Sequence, residues 1–150
     1  MSTETKLPPF NENGDLPPGI HLASFAEIAD RFGTGSDART RAVVKLTHLL
    51  ELAERTGKLL HFFIFGSFVS ATSSPRDVDI VLIMQNDFKL EEAPRESQTL
   101  FSHADADARF GASIFWLREG MVPQEVLDVL FDTWQTKRDG AKRGIVEVLR

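Results

Sequence analysis

The chain contains no cysteine, so disulfides, thiol nucleophiles and cysteine-held metals are excluded at the outset. Missing thiols fit a cytoplasmic protein, and that is the compartment expected. Long hydrophobic runs are also missing. The longest apolar stretches, around 59–65 and 80–84, are far too short to cross a bilayer and suit buried strands instead. No membrane association is expected. Met1 to Pro9 has no apolar core and prolines follow at once, so nothing there resembles a secretory signal. Positive charge is in deficit, with 17 Lys and Arg against 22 Asp and Glu for a net charge of −5. That balance argues against general adhesion to nucleic acid or anionic lipid, yet it leaves room for a local basic pocket. Internal repeats, low-complexity tracts and linkers are absent as well. What remains is 150 residues of ordinary soluble composition, 42% hydrophobic and 26% charged, enough for one domain with a substantial core.

The first twenty residues are rich in Pro, Gly and Asn and read as an extended lead-in arm, which Phe10, Leu16 and Ile20 can pin to the domain. Ser24-Phe25-Ala26-Glu27 has capping-box spacing and opens a short helix through about Phe32. Ser36 or Asp37 caps a longer helix to about Thr56, stopped by Gly57. Val43, Leu46, Leu49, Leu50 and Ala53 recur at three- and four-residue steps and predict its buried face. Arg39, Lys45, Glu51 and Glu54 are assigned to water. Leu59 to Phe65 predicts a strand, and Val78 to Met84 a second one covered on both faces. Ala93 to Ala104 reads as a helix, Ala112 to Leu117 as a strand, and Pro123 opens a helix through about Trp134. Ile145 to Leu149 is expected as a last edge strand.

The chemistry concentrates between Phe65 and Val81, in Phe65-Gly66-Ser67 followed by Arg76-Asp77-Val78-Asp79-Ile80-Val81. A strand ending in Gly-Ser turns tightly into a helix whose first N–H groups are unpaired. Those groups and the Ser67 hydroxyl can hold phosphate oxygens, and Gly66 permits close backbone approach. Ten residues on from Ser67, Asp77 and Asp79 stand two apart at the start of a strand, which places both carboxylates on one face. Two carboxylates at one edge repel. Mg2+, with its preference for hard oxygen ligands, resolves that repulsion and keeps positions open for substrate phosphates.

This arrangement resembles the signature of the DNA polymerase beta-like nucleotidyltransferase superfamily: an apolar residue, Gly-Ser, a spacer of about nine to thirteen residues, then Asp-apolar-Asp-apolar. Phe65 to Ile80 match it with nine intervening residues. The flanks, Leu16 to His21 and Arg138 to Val146, resemble an uncharacterised family of small bacterial proteins with this domain. The resemblance implies an α+β fold with a mixed central sheet flanked by helices. It further implies that Gly66 and Ser67 hold the β- and γ-phosphates of a nucleoside triphosphate, and that Asp77 and Asp79 are catalytic Mg2+ ligands. The implied reaction is transfer of a nucleotidyl group to a hydroxyl on protein, RNA or a small molecule. Small stand-alone members often act in toxin–antitoxin or phage-defence systems, and the chain is short for the helical domain that many members use to bind acceptor. A protein partner or homo-oligomer is therefore expected.

One departure from the pattern bears on catalysis. Active members carry a third acid on a neighbouring strand, and the corresponding strand here, Ala112 to Leu117, has none; Ser113 stands where it is expected. Asp105, Asp107 and Glu119 flank that strand and substitute only if the register differs. The alternative function is thus a catalytically degenerate nucleotide-binding or regulatory module. The remaining candidates read as ordinary structure. His103-Ala104-Asp105-Ala106-Asp107 is a solvated helix end, His48 is a surface or packing residue of the long helix, and His21 and His61 lack partners of ligand spacing. Lys137, Arg138, Lys142 and Arg143 form either a solvated loop or a clamp on triphosphate or acceptor. Trp134 either covers the core or stacks on a base.

Overall fold

A computed structural model describes residues 7–150. Its elements in chain order are β1 (Ile20–Ser24), α1 (Phe25–Phe32), α2 (Asp37–Glu54), β2 (Leu59–Phe65), β3 (Val78–Met84), α3 (Arg95–Gln98), α4 (His103–Phe110), β4 (Ala112–Arg118), α5 (Gln124–Trp134) and β5 (Ile145–Leu149). The architecture is α+β, built on one five-stranded mixed sheet in the order β1-β5-β2-β3-β4. β2 runs antiparallel to both β3 and β5, while β1 is parallel to β5 and β4 is parallel to β3. No helix among the described residues is long and apolar enough to cross a membrane.

Alternation within the strands builds two unequal layers. Phe62 and Ile64 of β2, Val78, Ile80 and Leu82 of β3, and Val146 and Val148 of β5 join one cluster with Ile28, Phe32, Leu46, Leu49 and Leu52 from α1 and α2. The intervening residues, Phe63, Val81, Ile83 and Ile145, form a thinner cluster covered by Phe131 and Trp134 of α5. No residue of α5 is fully buried, so this second face is only lightly covered. Past Asp79, β3 is apolar and buried on both faces.

Several local readings hold. The Ser24 hydroxyl accepts from the Glu27 N–H and starts α1, and Ser36 does the same for α2 through the Arg39 N–H. Others are corrected. The stretch from Ala93 to Ala104 is not one helix: α3 is four residues long, a 3-10 turn follows over Thr99–Phe101, and Ser102 caps the separate α4. β5 is no edge strand but lies between β1 and β2, where Ile145, Val146 and Val148 are buried. The edges are β1 and β4. Of the arm, residues 1–6 lie outside the described residues; the remainder is packed rather than loose, with Leu7 and Leu16 buried and the chain entering the sheet at Ile20.

Arg39 is the largest correction. Expected in water, it is 6% exposed. Its guanidinium donates to the carbonyls of Phe32 (2.9 Å), Phe68 (2.8 Å), Ser70 (2.6 Å) and Thr72 (3.1 Å). Burial pushes its pKa down, and the four carbonyls replace the lost hydration. A helix residue thereby fixes the loop that follows β2.

Candidate functional site

The strand directions gather five chain segments at one end of the sheet. The pairings Phe65↔Asp79 and Asp79↔Ser113 set the C-terminal end of β2 beside the N-terminal ends of β3 and β4. The pairings Ile64↔Val146 and Ile20↔Ile145 bring in the start of β5 and of β1. This end therefore carries Gly66, Ser67, Asp77, Asp79 and Ser113, together with the loops that precede β1 and β5.

Gly66 and Asp79 touch. Gly66 has φ 82° and ψ −160°, a conformation essentially reserved for glycine. A Cβ there would overlap the Asp79 carboxylate oxygen. The chain then makes a single 3-10 turn, Ser67–Val69, in place of the expected helix. The N–H groups at this reversal are those of one turn rather than of a helix terminus. Ser67 is half-exposed while Phe68 and Val69 anchor the turn in the core. Ser70 closes it, its N–H and hydroxyl both donating to the Ser67 carbonyl, the hydroxyl at 2.7 Å.

Asp77 is exposed just before β3, and Asp79 is half-buried on the face covered by α5. The Asp79↔Ser113 pairing puts the Ser113 residue next to Asp79 on the parallel strand, as the unshifted register requires. Asp105 and Asp107 stand exposed on α4. Glu119 follows Arg118 at the other end of β4, where its N–H bonds the Met84 carbonyl, roughly 20 Å along the strand from Ser113. No group of three His, Asp or Glu residues able to hold a metal occurs among the described residues. Among the described residues the site has a carboxylate pair and no third acid.

Three features of this end went unrecognised in the sequence. Asp15, in the arm, is 2% exposed and receives Lys137 Nζ at 2.9 Å, with Arg143 at 3.8 Å. The basic loop is thus fastened to the arm rather than free in solvent, and Arg143 is near enough for its charge to act on Asp79. Asp15 also bridges to Ser70 in the loop after the 3-10 turn. Third, Phe65, Phe115 and Trp134 form an aromatic group on the Asp79 face, with ring centroids 6.0–6.3 Å apart. Phe115 is 43% exposed. Its strand position suggests core packing, but the second face of the sheet is too lightly covered to bury it.

A model of a family of unknown function, DUF6932, matches residues 8–149. The chain belongs to this family. Comparison with the curated proteins and with the solved structures found no match. The DUF6932 match runs from the arm through β5, so every residue of the site falls inside it.

In this DUF6932 chain the electrostatics mark Asp79. Its pKa is pushed up to about 6, chiefly by burial, then by the neighbouring Asp77 charge, with Arg143 pulling in the opposite direction. Neither the Asp77 nor the Asp79 carboxylate has a hydrogen bond or ion pair among the described residues, nor does the hydroxyl of Ser67 or Ser113. Asp79 therefore binds a proton in the folded state at pH values where the unfolded chain has released it. Its contribution to stability is fully present below about pH 4 and is lost as the pH rises through about 6. The Asp79→Asn variant is expected to gain on the wild type across that window, by about 2–3 kcal/mol between pH 4 and pH 7. Denaturant titrations of both proteins at the two pH values measure this. A stability difference that stays constant with pH would show that the carboxyl is not held at such a cost.

Proposed function

We propose that this end of the sheet is a magnesium–nucleoside triphosphate site in a nucleotidyltransferase-type domain. Its reaction is transfer of a nucleotidyl group to a hydroxyl acceptor, with pyrophosphate leaving. The observation that carries the reading is the contact between the Gly66 backbone and the Asp79 carboxylate, which sets a tight turn and two unpaired acids side by side.

The donor set suits a hard divalent cation. Asp77 and Asp79 offer carboxylate oxygens that no protein cation neutralises by direct contact, and their mutual repulsion is relieved by a cation between them. When bound, Mg2+ would supply neutralisation of charge on the reacting phosphate. The protein's own share is positional. Gly66 lets the Asp79 carboxylate stand against the turn where a side chain would otherwise be, Ser67 offers a hydroxyl and an N–H, and Arg143 adds positive potential. Arg39 and Asp15 hold the loop after the turn and the basic segment in place. Phe115, exposed beside Asp79 and flanked by the His103 ring at 5.6 Å, offers an aromatic surface to a planar base.

A second reading rests on Ser113. A serine is a poor metal ligand and a poor base at neutral pH, so a site with only two carboxylates can bind nucleotide without turning it over. That describes a binding or regulatory module rather than an enzyme. Incubation with α-labelled nucleoside triphosphates, Mg2+ and offered acceptors separates the two. The enzyme reading expects label transfer by the wild type. In addition, Ser113→Asp, which restores an acid opposite Asp79, is expected to raise the rate by 10-fold or more, the scale of one positioned acid or base. Transfer by Ser113→Asp alone would favour the module. Nucleotide binding by neither protein would overturn both readings.

A further inference from the structure

A concavity of about 200 Å³ opens between α2 and the loop leading into β3. Its walls carry three cations, Arg41 and Lys45 from one side of α2 and Arg76 from the loop, against a single acid, Asp77. None of the three cations forms a salt bridge or side-chain hydrogen bond among the described residues. Other cations are paired, as Lys58 with Asp87 and Lys142 with Asp132, or stand unpaired, as Lys89, Arg95 and Arg138 do; Arg41, Lys45 and Arg76 are unpaired and line one hollow together.

The Lys45 ammonium is also given room. Lys45 is half-buried, and its Nζ lies 3.3 Å from where a Cβ on Gly111 would stand. Gly111, the left-handed cap of α4, thus leaves space for the ammonium at the start of β4. Pro75 is buried and fixes the loop that presents Arg76. Arg39, two residues before Arg41, bonds the same loop at Thr72. The cations consequently stand on a braced helix and a braced loop rather than on mobile termini.

We propose that this hollow is a phosphate-binding site. Two guanidinium groups and an ammonium without carboxylate partners suit a multiply charged oxyanion, which accepts charge-assisted hydrogen bonds from each. The site does not require Asp77 and Asp79 to hold a metal, and Asp77 works against it as a like charge to the ligand. The phosphate belongs either to a bound nucleotide's own tail or to a separate phosphate ester such as an acceptor.

The test is calorimetric titration of inorganic pyrophosphate into the wild-type protein in EDTA, without divalent metal. Binding that weakens with added salt is expected. Arg41→Gln and Lys45→Gln should each weaken it about tenfold, and the double variant about a hundredfold. Arg41 is exposed and Lys45 half-buried, and unchanged melting temperatures would certify the fold. Asp77→Asn should bind pyrophosphate as tightly as the wild type or more so, although the magnesium site proposed above requires that carboxylate. Failure of one reading is therefore visible independently of the other. Displacement of pyrophosphate by ATP would assign the site to the nucleotide's tail, and simultaneous binding would assign it to a separate phosphate ester. No pyrophosphate binding by the wild type, or equal binding by the Arg41→Gln/Lys45→Gln protein, would overturn the proposal.

Discussion

Replacing Arg39 with alanine is expected to cost about 3–4 kcal/mol of stability, because it strips the partner from four carbonyl groups at once. The guanidinium is 6% exposed and joins the end of α1 to the loop that follows β2, so its loss also leaves a polar hole between α2 and Phe68. For a chain of this size the melting temperature should fall on the order of 10 °C. Arg39→Lys should recover only part of the loss, since an ammonium lacks the planar fork that reaches several acceptors together. Thermal unfolding of the two variants is a direct check. A change of less than about 1 kcal/mol in Arg39→Ala would mean that water replaces the guanidinium without penalty. The loop from Phe68 to Thr72 would then owe its position to other contacts.

Neutralising Asp77 and Asp79 together should move activity and stability in opposite directions. Any Mg2+-dependent label transfer is expected to drop by roughly 1000-fold or more, the scale on which transition-state charge stabilisation by such groups acts. The Asp77→Asn/Asp79→Asn protein should nonetheless melt higher than the wild type at pH 7. The repulsion and burial that raise the Asp79 pKa to about 6 are costs carried by the folded state. Residues retained for packing behave differently, losing stability when replaced. A double variant that melts lower and transfers label as well as the wild type would place these acids among structural residues.

Elements with strong periodic signals were legible, because burial there follows from local pattern alone. β2, β3, β4 and α5 begin and end within a residue of their expected limits. Position within the sheet was not legible in the same way. β5 has an almost continuous apolar run, consistent with interior burial, yet no strand's own sequence states which neighbours it will have. β1 escaped because Ile20–Ser24 follows a Pro- and Gly-rich stretch and leaves Ile20 and Leu22 exposed. Ser102 and Asp105 already carried the capping spacing that divides α4 from α3. Arg39 carried a signal too, standing seven residues before Leu46 and fourteen before Ala53, on the buried stripe of α2. Its charge outweighed its position in the reading.

At the site, Gly66, Ser67, Asp77, Asp79 and the serine opposite Asp79 were all identifiable, since motif spacing and strand register act over short distances. Asp15 and Arg143 were not. Their ion pair joins residues 128 positions apart, and no local pattern encodes it.

The most direct measurement is paramagnetic broadening of backbone amide resonances by substoichiometric Mn2+ with a non-hydrolysable nucleoside triphosphate. Signals of Gly66, Ser67, Val78 and Ser113 should disappear first in the wild-type protein and survive in Asp77→Asn/Asp79→Asn. Broadening centred on Asp105 and Asp107, or equal broadening in the two proteins, would contradict a cation held between the Gly66 turn and the carboxylate pair.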